Sequence, residues 1–161
     1  MRSEKTLFFI TALFNRARIY MSFIIKPMLP FHYEEVYALW SKIDGMDLNP
    51  QDDNPVAISA FLSANPDLNY VALANDKVIG VIMCGFDGRR ATIYHAAVAE
   101  AYRNRGIATA LLNTLENVLK AKNISKGRLL AFKSNETATE FWQKSGWTLR
   151  EHLNYFSKSF L

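Results

Sequence analysis

Ala96-Ala97-Val98-Ala99-Glu100-Ala101-Tyr102-Arg103-Asn104-Arg105-Gly106-Ile107-Ala108 carries an apolar run through a basic, glycine-bearing loop into an amphipathic pattern. Apolar residues then recur at Ile107, Leu111, Leu115, Val118 and Leu119, one face of a helix whose first turn falls near Arg105–Thr109. The first turn of a helix leaves N–H groups without intrahelical partners, and here they point back into the loop. Those donors, the positive end of the helix dipole and the Arg103 and Arg105 guanidinium groups suit a pyrophosphate. Gly106 lets a phosphate oxygen approach the backbone with no Cβ in the way. At this spacing an ordinary helix capped by a basic turn reads the same way.

Residue types separate the two readings. Arg103-Asn104-Arg105-Gly106-Ile107-Ala108 fits R-x-x-G-x-A. Downstream, Asn135-Glu136-Thr137-Ala138-Thr139-Glu140-Phe141-Trp142-Gln143-Lys144-Ser145-Gly146-Trp147 fits N-x-x-A-x-x-F-aromatic-x-x-x-G-aromatic. In this order the two resemble the acetyl-CoA signature and the second signature of the GNAT acetyltransferase superfamily. Gly85-Phe86-Asp87-Gly88-Arg89-Arg90 and Tyr94-His95 are similar to the hairpin and fourth strand of a bacterial branch whose acceptors are mostly unassigned. The resemblance covers about Phe23 to Lys158.

The resemblance implies an α/β (α+β) GNAT fold: a mixed, mostly antiparallel sheet of about six to seven strands flanked by about four helices. A bulge splays the fourth strand from the fifth and leaves a cofactor cleft. By position, the backbone of Ala97, Val98 and Ala99 would bond the pantetheine amides. Arg103, Asn104, Arg105, Gly106, Ile107, Ala108 and Thr109 would hold the pyrophosphate, and Asn135 and Trp142 would line the thiol end. The implied activity is N-acetyl transfer by direct attack, from acetyl-CoA as co-substrate to an amine of a small metabolite, peptide or protein, without a metal. A longer acyl donor and a homodimer stay open.

Attack of an amine on a thioester sets three requirements. A primary amine with a pKa of about 10.4 is protonated at neutral pH and must lose a proton. The developing oxyanion needs a fixed donor, and the departing thiolate needs a proton. This chain departs from the family at the usual tyrosine of the second signature, where Trp142 has an indole N–H that donates a hydrogen bond but transfers no proton near neutrality. Thr92 falls near the place of the family's strand-four glutamate. Tyr94 and His95 remain as catalytic candidates. Simple alternation puts them on opposite faces of the strand, the phenol as acid toward the thiolate or the imidazole as base. A satisfied core histidine is the competing reading of His95. Trp142 and the missing carboxylate also motivate a second function class, a catalytically decayed CoA-binding sensor or partner module.

Composition bounds the partners. The chain has 161 residues, half of them hydrophobic, enough for one core and too few for two typical domains. The net charge of +4 comes from 19 basic and 15 acidic residues. Arg2, Lys5, Arg16 and Arg18 against Glu4 account for most of the excess, which leaves 15 basic and 14 acidic residues over the rest of the chain. No basic face of the kind that binds nucleic acid is expected outside the cofactor loop. Cys84 is the single cysteine, inside an apolar strand pattern, and the histidines at 32, 95 and 152 share no ligand spacing, so neither a disulfide nor a metal is implied. A cytoplasmic protein is expected. Asp44, Asp47, Asp52 and Asp53 crowd the loop between the first two helices, either to attract a cationic acceptor or as a solvated loop with acids near a helix start.

Residues 1–20 stand apart from residues 21–161, which carry the domain pattern. Leu7-Phe8-Phe9-Ile10-Thr11-Ala12-Leu13-Phe14 follows basic residues but is too short to span a bilayer, and Asn15-Arg16-Ala17-Arg18 follows in place of a small-residue cleavage site. This stretch is an extension, a docking segment, or lies upstream of a start at Met21. Within the domain the pattern predicts strands at Phe23–Met28, Asn69–Ala74, Lys77–Cys84, Arg90–Ala99 and Arg128–Phe132. A closing antiparallel pair is expected at Trp147–Arg150 with Asn154–Lys158. Helices are expected from Pro30, after the Asn54-Pro55 cap, at the loop described above, and from the Asn135 cap to Gly146.

Overall fold

The computed structural model describes residues 22–160, so the expectations placed on residues 1–20 lie outside the described residues. Five strands form one sheet in sequential order: β1 Ile24–Pro27, β2 Asn69–Ala74, β3 Lys77–Phe86, β4 Ala91–Val98 and β5 Gly127–Leu129. Strands β1 to β4 are antiparallel neighbours, and β5 runs parallel to β4. The β2–β3 turn has positive φ at both Asn75 (49°) and Asp76 (59°), the backbone of a tight two-residue hairpin that asparagine and aspartate tolerate.

Helices cover both faces. On one, α1 (Tyr33–Trp40) and α2 (Pro55–Ala64) bury Val36, Leu39, Trp40, Ile58 and Leu62 against Val71, Val81 and Met83 of the sheet. On the other, α3 (Ile107–Ala121) buries Ile107, Leu111, Leu112, Leu115 and Leu119 against Tyr70, Ala72, Ile82 and Ile93, and α4 (Glu136–Lys144) adds Phe141 and Trp142 to the same core. The caps fall where the sequence puts them: Asn54 Oδ1 accepts from the N–H of Ala57 at 2.9 Å, and Asn135 Oδ1 from that of Ala138 at 3.0 Å. A short 3-10 turn, Pro30–His32, precedes α1, which stops at Trp40, before Ile43.

The structure departs from the expected pattern in two places. In β4 the register shifts so that Met83 faces His95 while Cys84 faces Ile93, which leaves Tyr94 as the extra residue of a bulge. Ile93 accordingly packs in the core beside α3 and Ala97 in the core beside α1, although both are odd-numbered. The expectation that Tyr94 and His95 lie on opposite faces is therefore wrong. Tyr94 meets Phe61 of α2 edge-on at 5.4 Å and His95 stacks on Trp40 of α1 at 4.6 Å, so both are on the α1–α2 face.

The second departure is at the C-terminal end. The closing pair expected at Trp147–Arg150 and Asn154–Lys158 does not form, and the described residues hold five strands where about six to seven were expected. A strand needs an edge to extend, and β5 offers three residues before the chain leaves the sheet at Leu130. Leu149, Leu153, Tyr155 and Phe156 are exposed as a result.

Candidate functional site

The centre of the site is an unpaired length of β4. Strand β5 pairs Gly127 with Ala91, Arg128 with Thr92 and Leu129 with Ile93, and pairing ends there, one residue before the bulge at Tyr94. From Tyr94 to Val98 the outer edge of β4 has no strand beside it among the described residues. In an antiparallel ladder the main-chain groups of alternate residues turn to opposite neighbours. The N–H of Ala99 donates to Ile79 O at 2.9 Å and Ala97 sits opposite Val81, so these two residues spend their main-chain groups on β3. Of the expected trio Ala97, Val98 and Ala99, only Val98 presents main-chain groups to the gap, and Ala96 does so in their place. The Val98 carbonyl accepts from Arg103 Nε at 3.2 Å, which anchors the basic loop to the end of the strand.

The loop then turns twice through left-handed backbone, at Asn104 (φ 59°) and Gly106 (φ 80°), before α3 starts. Gly106 is the N-cap and offers no side chain, no acid lies in the first turn, and the first backbone bond of the helix is the N–H of Ala110 to Gly106 O at 2.9 Å. The N–H groups of Ile107, Ala108 and Thr109 therefore have no intrahelical partner. A Cβ built on Gly106 would meet nothing within 4 Å, so the space before these donors is open. Arg105 lies over the Tyr102 ring at 5.7 Å, and Arg103 and Arg105 are both exposed. Three free N–H donors, a helix dipole and two guanidinium groups around open space fit the diphosphate of CoA.

On the α1–α2 face, His95 makes a contact that sequence spacing does not reveal. Its Nε2 lies 2.8 Å from Asp53 Oδ1, with side-chain exposures of 13% and 8%. Asp53 is the last residue of the acidic loop, held from three sides. Its Oδ2 accepts from the N–H of Asn49 at 2.8 Å, its main-chain carbonyl from the Tyr33 hydroxyl at 2.8 Å, and its Oδ1 takes the histidine. Burial pushes the Tyr33 phenol above its ordinary pKa, so that hydroxyl stays a donor. Asp53 is thus committed inside the protein and unavailable to attract a cationic acceptor. Asp52 accepts from Asn49 Nδ2 at 2.9 Å. The same loop reaches across to the chain beyond β5, where Phe132 lies against Gly45, 3.3 Å from where a Cβ would stand.

Asn135 is exposed and its oxygen is engaged as the α4 cap. Trp142 sits edge-on between Phe141 (5.1 Å) and Trp147 (5.4 Å) and packs on the α3-side core. Thr92 accepts from Arg128 Nε at 3.0 Å across the β4–β5 pair. The Cys84 thiol is enclosed, and burial pushes its pKa up to about 12, which removes it as a nucleophile. Among the described residues no cluster of His, Cys, Asp and Glu is placed to hold a metal ion, and no helix is long and apolar enough to cross a membrane.

The acetyltransferase (GNAT) family model matches residues 33–147. The chain is 34% identical over 126 residues to acetyltransferase SG1711 of Sodalis glossinidius, covering 78% of this chain and 87% of that one. It is 38% identical over 112 residues to acetyltransferase plu1384 of Photorhabdus laumondii, covering 70% and 77%. Among solved structures it superposes on the PaiA N-acetyltransferase of Thermoplasma acidophilum in complex with coenzyme A, with a TM-score of 0.72 at 19% identity over 81% of this chain and 92% of that one. It also superposes on the aminoglycoside acetyltransferase AAC(6')-Iy bound to a bisubstrate analogue, with a TM-score of 0.68 at 18% identity over 86% and 99%. The fold is shared with these enzymes, and the chain belongs to the acetyltransferase (GNAT) family.

Proposed function

We propose that the protein is an acetyl-CoA-dependent N-acetyltransferase acting on an amine of a small molecule, peptide or protein. The observation that carries this is the unpaired edge of β4 running from Tyr94 to Val98 and ending at the uncapped N-terminus of α3. Acetyl-CoA supplies an activated thioester, whose carbonyl carbon accepts the amine and whose sulfur departs. The first-turn N–H groups of α3 with Arg103 and Arg105 hold the diphosphate, and the outward main-chain groups of Ala96 with the Val98 N–H align the pantetheine as an added strand would be aligned. Tyr94, on the bulge, holds the proton that the departing sulfur needs. His95, nearby on the same face, is the base for the amine. The acceptor arrives over the α1–α2 face, between the loop 44–53 and the sheet.

Calorimetric titration tests the binding half of the proposal. The protein should bind acetyl-CoA, and Gly106→Val should weaken binding at least tenfold without unfolding the domain. Its side chain would occupy the open space before the donors, and its backbone disfavours a positive φ. Undiminished affinity in a folded variant would remove the α3 N-terminus from the site.

A further inference from the structure

We propose that Asp53 is a positioning residue that fixes the tautomer of His95, so that Nδ1 is the atom that takes the proton from the acceptor amine. The inference rests on the acetyltransferase reading above and adds to it a defined proton path. Asp53 Oδ1 lies 2.8 Å from His95 Nε2, and an ionised carboxylate only accepts, so the Nε2 of a neutral ring must carry the hydrogen. The lone pair is then on Nδ1. Nδ1 has no hydrogen-bond partner among the described residues, and the only enclosed side-chain polar atom without one is Trp40 Nε1. Nδ1, with no partner and not enclosed, therefore reaches solvent from a side chain that is 13% exposed.

Contacts on several sides hold the pair. Trp40 of α1 stacks on the ring at 4.6 Å and is itself fully buried, and Met83 of β3 faces His95 in the ladder. Asn49 and Tyr33 fix the second carboxylate oxygen and the main chain of Asp53. The ionisable groups about the ring are Asp53 from the loop before α2, Tyr33 from α1 and Tyr94 from β4 itself; β3 contributes only Met83. A histidine kept for packing alone needs no carboxylate, and a buried acid costs free energy unless it is paired; here one oxygen of Asp53 holds the loop through the Asn49 N–H and the other is given to the ring. A base needs both the fixed tautomer and the nearby negative charge, which stabilises the imidazolium once it forms.

The step balances. An ammonium acceptor gives one proton to Nδ1 and becomes a neutral amine. Its nitrogen bonds to the thioester carbon, and the carbon–sulfur bond breaks with its electron pair on sulfur. The second nitrogen proton is lost as sulfur gains one by way of Tyr94, and the imidazolium returns its proton to solvent. The acceptor class follows: an amine that is protonated in solution and reaches the site from the α1–α2 face, past Asp44 and Asp47.

The test combines nitrogen-15 spectra of the imidazole with steady-state rates on the whole chain. In the wild type the His95 ring should be in the Nε2–H form, and Asp53→Asn should leave a mixture of both forms. His95→Gln should lower kcat about a hundredfold and remove the acid limb of the rate profile. Asp53→Asn should lower kcat about tenfold or more with KM for the amine and affinity for acetyl-CoA unchanged, and Asp53→Glu should restore part of the loss. An Nδ1–H ring in the wild type overturns the proposal. So does a wild type that acetylates amines while His95→Gln matches it in rate and profile, with the acetyltransferase reading left standing. A wild type that binds acetyl-CoA and acetylates nothing overturns both.

Discussion

Tyr94 and His95 owe their shared face to a single extra residue in β4. Counted from Ile93, which packs beside α3, simple alternation would put Tyr94 on the α1–α2 face and His95 on the α3 face, and the extra residue is what brings both rings to the α1–α2 face. The Tyr94 ring packs against Phe61 whether or not it carries a hydroxyl, so Tyr94→Phe should keep acetyl-CoA affinity and stability and lower turnover about tenfold or more. Rates equal to the wild type would transfer the acid role to water. His32 makes a different kind of prediction. Burial lowers its pKa from 6.5, and its Nδ1 accepts from the N–H of Leu29 at 3.0 Å, which a protonated ring cannot do. The unfolded chain therefore binds this proton more readily than the folded one. Stability should fall as pH drops below the ordinary histidine value and level off below the folded value. Urea midpoints for wild type and His32→Gln across that window check it: the variant should show the shallower fall.

At the scale of elements, what the sequence declares locally is what it declares reliably. The Asn54 and Asn135 caps, the Asn75-Asp76 turn and the apolar face of α3 are each set by neighbours a few residues away, and each is found where the pattern puts it. The bulge at Tyr94 and the early end of β5 depend on register against other strands, and no local composition signals them. The His95–Asp53 contact joins residues 42 apart, and before the fold is seen Asp53 is one acid among four in its loop. Gly127 is a further case. A Cβ there would lie 2.8 Å from the Trp147 ring, whose Nε1 donates to Glu116 Oε1 at 2.9 Å and so ties the end of α4 to α3 over β5. Gly127→Ala should cost about 1–3 kcal/mol, read from the urea midpoint. An unchanged midpoint would mean that Trp147 moves aside without loss and that its bond to Glu116 holds nothing.

For the whole molecule, the three layers divide the work. The α3 side supplies, in the proposed function, the cradle for the diphosphate at the C-terminal end of β4. The α1–α2 side supplies Tyr94, His95 and the acidic loop, and the unpaired edge between them is where the two sides meet. Motifs of residue type single out the first of these in the sequence, because they place a glycine and two arginines directly before a helix, and the structure leaves that helix start open. The second is assembled by packing, from side chains that any core also uses. The most direct measurement is therefore turnover: release of free CoA thiol from acetyl-CoA by the purified protein across a broad panel of primary amines, with the product identified by mass. Acetylated amine and free thiol are expected in equal amounts for at least one member, with at least tenfold slower thiol release by the Gly106→Val protein at acetyl-CoA concentrations well below saturation. Tight binding of acetyl-CoA with no amine acetylated would contradict the proposed function and leave a CoA-binding module that performs no transfer.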